Sequence, residues 1–135
     1  MIVVDANVIA YWLIQGEFTA LARRLRETEP EWIVPALCRH ELANVIASYV
    51  RHGAMDVEEA PRIWQTVEAM LAGSEYAVDL SAVIAIAVDK QISAYDAQYL
   101  WLSEVKNVPL VSQDKKLPGK SGNALSLQAY LDPVD

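Results

Sequence analysis

Ile2-Val-Val-Asp-Ala-Asn7 decides the fold. Three consecutive branched apolar residues leave no polar face. That pattern marks a short strand buried on both sides, as in a parallel sheet covered by helices. Asp5 then stands at the strand's carboxyl end and caps a helix over about Ala6 to Ile14. Gly16 ends that helix, and Glu17 to Glu29 reads as a second, with Phe18, Leu21, Ala22 and Leu25 at helical spacing. Pro30 stops it. Trp32-Ile-Val34 is a second strand, and Pro35 opens a long helix to about His52, closed by Gly53. Asp56 caps a further helix ending at Gly73. Tyr76-Ala-Val78 is a short strand, and Ala82 to Lys90 a buried helix whose β-branched content also suits a strand. Tyr95 to Lys106 is helical, Pro109-Leu-Val111 a strand, Ser112 to Lys116 a polar turn, Ala124-Leu125 a last strand and Ser126 to Leu131 a helical turn. Strands alternating with helices predict a single α/β domain over residues 1–135: three layers, with a mostly parallel sheet of four or five strands.

The 135 residues suffice for one hydrophobic core. With 53% hydrophobic and 21% charged residues, disorder is disfavoured. The run Ala82 to Val88 is too short to cross a bilayer, and Met1-Ile-Val-Val-Asp5 lacks the basic start of a signal peptide. Cys38 is the lone cysteine, which excludes an internal disulfide and a zinc knuckle. A cytoplasmic protein is expected. The net charge of −7 argues against nucleic acid only if the acids are spread evenly. Their positions therefore matter more than their sum.

Four positions stand out. Asp5 and Asp114 follow buried strands, Asp96 lies in the first turn of a helix, and Glu41 borders the apolar stripe of the long helix. Each has a plain structural reading. Asp5 can be only a cap, Ser93-Ala-Tyr-Asp96 only a capping box, Asp114 a turn residue and Glu41 a solvated glutamate. If the four converge, they cannot all stay ionised without a cation. Mg²⁺ or Mn²⁺ suits an oxygen-only set. A histidine-based route is disfavoured: His40 and His52 lie twelve residues apart on one helix, about 18 Å by helical rise.

Four blocks together resemble a known family. They are Ile2-Val-Val-Asp-Ala-Asn7, Pro35-Ala-Leu-Cys-Arg-His-Glu-Leu-Ala-Asn44, Ala94-Tyr-Asp-Ala-Gln-Tyr-Leu100 and Val108-Pro-Leu-Val-Ser-Gln-Asp-Lys-Lys-Leu117. In this they are similar to the PIN-domain ribonucleases, within them the VapC-like toxins of toxin–antitoxin pairs. The resemblance implies a Mg²⁺- or Mn²⁺-dependent endoribonuclease. Asp5, Glu41, Asp96 and Asp114 match its acidic quartet. On that resemblance Asp5 and Asp96 are expected as the first metal ligands, Asp114 as a ligand directly or through water, and Glu41 as holding a second ion or orienting the attacking water. Asn7 and Ser112 match its polar helpers, although Thr is commoner than Ser at position 112. The resemblance further implies a homodimer and a VapB-like antitoxin that seats in a groove of the first helices and the long third helix.

RNA contacts need cations: Lys115, Lys116 and Lys120 follow Asp114, and Arg39 flanks Glu41. Arg23, Arg24 and Arg26 read as an outer face paired with Glu27 and Glu29. The alternative is a PIN-like module that binds RNA or protein without cutting, which the intact quartet disfavours. An aspartyl-phosphate phosphatase would want a second aspartate where Asn7 stands.

Overall fold

The computed structural model describes residues 1–134. In chain order its elements are β1 (Ile2–Val4), α1 (Ala6–Leu13), α2 (Thr19–Thr28), β2 (Trp32–Pro35), α3 (Cys38–Arg51), α4 (Ala60–Leu71), β3 (Glu75–Tyr76), α5 (Leu80–Lys90), α6 (Ala94–Lys106), β4 (Leu110–Val111), β5 (Ala124–Leu125) and α7 (Leu127–Leu131). The sheet order is β3-β2-β1-β4-β5, and every pairing is parallel. Val3 lies opposite both Ile33 and Leu110, so β1 is the central strand. Its successive residues point to opposite faces, and all three are buried. Both faces are therefore covered, the three-layer arrangement expected.

The order of strands positions the site. From β1 the chain steps outward through β2 and β3, then returns to the other side of β1 as β4. The crevice opens where the direction reverses, beyond the carboxyl ends of β1 and β4. The core beneath it joins Val3, Val4, Val8, Ile9, Leu42, Leu100 and Val111. No helix among the described residues is long and apolar enough to cross a membrane.

Several boundaries differ from expectation. Pro35 ends β2 instead of opening α3: it pairs with Tyr76, and the amide of Ala36 donates to the Tyr76 carbonyl at 3.0 Å. A proline that ends a strand and one that opens a helix share the same φ, so the residue alone does not separate them. Asp56 does not cap α4. Its carbonyl instead accepts from the Glu59 amide in a preceding turn, and Pro61 falls in the first turn of the helix. Asp79 caps α5, accepting from the amides of Ser81 and Ala82. That helix is not buried. Only Val83 is, whereas Leu80, Ile84 and Val88 are 59%, 60% and 75% exposed. An all-round apolar helix is ordinarily a core helix; here one face packs on α6 and the other is open. The expected Arg–Glu pairing of α2 is also different. Arg24 bonds Asp132, Arg26 stacks between Trp12 and Trp32, and Glu29 meets the amino group of Met1.

Candidate functional site

Asp5 follows directly from β1. Its Oδ1 accepts from the Val8 amide at 3.0 Å, which makes it the N-cap of α1. Its Oδ2 accepts from the Ser112 hydroxyl. The same Ser112 oxygen accepts from the Asp114 amide at 3.0 Å. One buried hydroxyl thus ties the ends of β1 and β4 together and sets Asp5 beside Asp114. Asp114 in turn accepts from the Lys116 amide at 3.0 Å, which shapes its turn.

Glu41 lies in the first turn of α3, and Tyr99 of α6 donates to its Oε1 at 2.5 Å. Asp96 lies in the first turn of α6. There the Ser93 hydroxyl accepts from its backbone amide at 3.0 Å, and the Asp96 carboxylate, which Ser93 also steadies, lines the cleft. Three of the acids thus sit at helix N-termini. The partial positive charge there offsets part of their mutual repulsion.

Asp5, Glu41, Asp96 and Asp114 all line one cleft of about 400 Å³, together with Asn7. Burial, above all, pushes the Asp5 carboxyl up to about 6. Ser112 and Val8 oppose that shift, and the charges of Glu41 and Asp114 add to it. Burial also raises Glu41, with Asp96 adding and Tyr99 opposing. Asp96 is raised by burial and by Asp114, against Ser93 and Lys116. The cleft therefore strains against its own negative charge, the condition a cation relieves. Every donor is a hard oxygen, which fits Mg²⁺ or Mn²⁺ by type. Among the described residues no three acidic, histidine or cysteine side chains are already drawn into a cation-sized cage.

The structure divides the other candidates. Ser112 is buried and bonded as described, while Asn7 lines the cleft in an exposed position. Lys115 and Lys116 are exposed beside Asp114, and Lys116 acts on Asp96 electrostatically. Arg39 is engaged elsewhere: its guanidinium donates to Glu75 at 2.6 and 2.9 Å and to Glu68 at 3.0 Å. The sequence reading missed His40, Asn44, Tyr95 and Tyr99 as cleft residues. Asn44 and Tyr99 follow Glu41 and Asp96 by three positions, a spacing that shares a helix face and signals them.

A PIN domain model matches residues 2–122 of the chain. The chain belongs to the PIN-domain family. Ribonuclease VapC3 of Pyrobaculum aerophilum is 29% identical over 123 residues, 88% of this PIN domain and 93% of that protein. Exonuclease VapC9 of the same organism is 29% identical over 94 residues, 68% of each chain. Among solved structures, a Pyrobaculum aerophilum protein superposes with a TM-score of 0.77 at 23% identity, covering 96% of this chain and 85% of that one. A toxin–antitoxin complex from Klebsiella pneumoniae gives 0.65 at 15% identity, covering 94% and 98%. FitAcB of Neisseria gonorrhoeae gives 0.68 at 16% identity, covering 92% and 95%. These last three likenesses show that the fold is shared.

Proposed function

We propose that this PIN domain is a Mg²⁺- or Mn²⁺-dependent endoribonuclease that hydrolyses RNA phosphodiesters and serves as the toxin of a toxin–antitoxin pair. The observation that carries the reading is the meeting of Asp5, Glu41, Asp96 and Asp114, from four separate stretches, in one cleft at the reversal point of the sheet. Asp5, Asp96 and Asp114 would hold the cation, with Glu41 either holding a second ion or orienting the attacking water. When bound, the cation supplies Lewis-acid neutralisation of the phosphate and activation of water. Ser112 keeps Asp5 and Asp114 in register, as hydroxyl partners of ligating carboxylates do. Lys115 and Lys116 would meet the substrate's phosphates at the rim; Arg39, held by two glutamates, is not available for that role.

The likeness to Ribonuclease VapC3 supports the activity, and the likeness to a toxin–antitoxin complex supports an antitoxin partner. An apolar groove of about 440 Å³ lies on α3, α4 and the turn before α4, and not on the first helices that the resemblance implies; lined by Ile46, Val57, Pro61 and Trp64 among others, it is suited to a hydrophobic antitoxin segment. The open stripe Leu80, Ile84 and Val88 of α5 supports a homodimer. The proposed RNA substrate and antitoxin are consistent with a cytoplasmic location.

The test is a fluorogenic RNA with Mg²⁺, Mn²⁺ or EDTA, beside Asp5→Asn and Asp96→Asn. Cleavage should require the cation and fall by at least about a hundredfold in either variant. Cleavage that survives chelation and both substitutions overturns the reading. Because one relative is named an exonuclease, a second reading is removal of end nucleotides. A circular RNA separates the two, since only an endonuclease opens it.

A further inference from the structure

Tyr99 is a buried member of the cleft, only 3% exposed, and the reaction proposed above gives it no role. It lies one turn after Asp96 on α6, so both face the same side. A buried phenol needs a partner for its hydroxyl. Tyr99 finds one across the cleft, donating to Oε1 of Glu41 on α3 at 2.5 Å. Glutamate has three rotatable bonds, and half-buried Glu41 forms no salt bridge among the described residues. The bond restricts that freedom by holding one oxygen and leaving Oε2 as the free oxygen of a residue that lines the cleft. Ser112 likewise holds one oxygen of Asp5, whose other oxygen accepts from the Val8 amide, so two of the four acids are each held by a buried hydroxyl.

We propose that Tyr99 is a positioning residue: its hydroxyl fixes the Glu41 carboxylate so that the remaining oxygen serves the attacking water or a second cation. The proposal rests on the metal-dependent ribonuclease reading. It also explains why a tyrosine, and not a phenylalanine of the same volume, stands at this core position.

Tyr99→Phe, Glu41→Gln and the double variant test it. The readouts are kcat and KM on a fluorogenic RNA, Mn²⁺ binding by electron paramagnetic resonance, and the melting temperature. Tyr99→Phe should lower kcat about 10- to 100-fold, leave KM within about threefold and weaken Mn²⁺ binding several-fold. In the Glu41→Gln background it should change kcat by less than about twofold, because its effect runs through Glu41. Equal losses in both backgrounds, or a Tyr99→Phe protein with kcat and Mn²⁺ affinity within twofold of wild type, overturn the proposal. The wild type gives a reading that needs no variant to fold. The Tyr99 hydroxyl proton should appear downfield and exchange slowly by nuclear magnetic resonance, and its absence refutes the contact. A wild type that binds Mn²⁺ yet cuts no RNA refutes the ribonuclease reading alone, and Mn²⁺ affinity then still reports on Tyr99. An active wild type matched by Tyr99→Phe refutes the positioning role alone.

Discussion

Asp5 carries two duties that pull against each other. As a cap it stabilises α1; as a buried carboxylate among other acids it destabilises the fold once ionised. Its carboxyl sits near 6 in the folded chain against 3.8 in the unfolded one. A raised acid contributes stability that is complete below 3.8 and is lost as pH climbs through 6. Asp5→Asn keeps an oxygen for the Val8 amide and removes the charge. The variant should therefore melt above wild type at pH 8 without divalent ions, by up to about 2 kcal/mol once solvent at the cleft mouth is allowed for. The difference should shrink toward pH 4, and Mg²⁺ should narrow it by stabilising wild type only. Melting curves of both proteins across pH, with and without Mg²⁺, check this. Ser112 belongs to the same scale. Ser112→Ala should cost about 10-fold or more in Mn²⁺ affinity or kcat, and Ser112→Thr should restore most of it. Titration of Mn²⁺ against each variant decides the point. The placement of these acids was legible in the sequence because carboxylates after buried strands must lie at the crevice. Tyr99 was not, since a tyrosine inside a helix reads as core until its hydroxyl partner, 58 positions away, is known.

Among the elements, α3, like α4, begins later than the sequence placed it. Its start is held by Arg39, which joins Glu75 of β3 to Glu68 of α4. Sequence proximity to Glu41 suggested a phosphate contact; two glutamates from distant elements claim the guanidinium first, and no local pattern reveals such long-range partners. Arg39→Ala should lower the urea midpoint and leave RNA affinity within about twofold, with an unchanged salt slope. Lys116→Ala should instead weaken RNA binding and reduce that slope by about one. Binding isotherms at several salt concentrations separate the two. The strands were read well where burial was total, as in Ile2–Val4 and Leu110–Val111. α5 was misjudged for a related reason. Apolar composition reports that a surface avoids water, and it does not report whether the cover comes from the same chain.

That cover is a question for the whole molecule. Leu80, Ile84 and Val88 fall four residues apart, forming one exposed stripe, and a charge placed in it should oppose association. Ile84→Glu should convert a dimer to a monomer by sedimentation while leaving the monomer's melting temperature nearly unchanged. An unchanged wild-type monomer would remove the dimer from the proposal. The fold class was legible throughout, because strand and helix periods alternate along the whole chain. The order of the strands was not, since nothing local says that β4 returns to the far side of β1. That return has a consequence in time. Val3 waits for Leu110, 107 positions later, before the central ladder can close, and at a translation speed of about 5–20 residues per second that delay is on the order of 5–20 s. A nascent chain that already displays Asp5 and Glu41 thus has no assembled cleft until Asp96, Leu110 and Asp114 have followed.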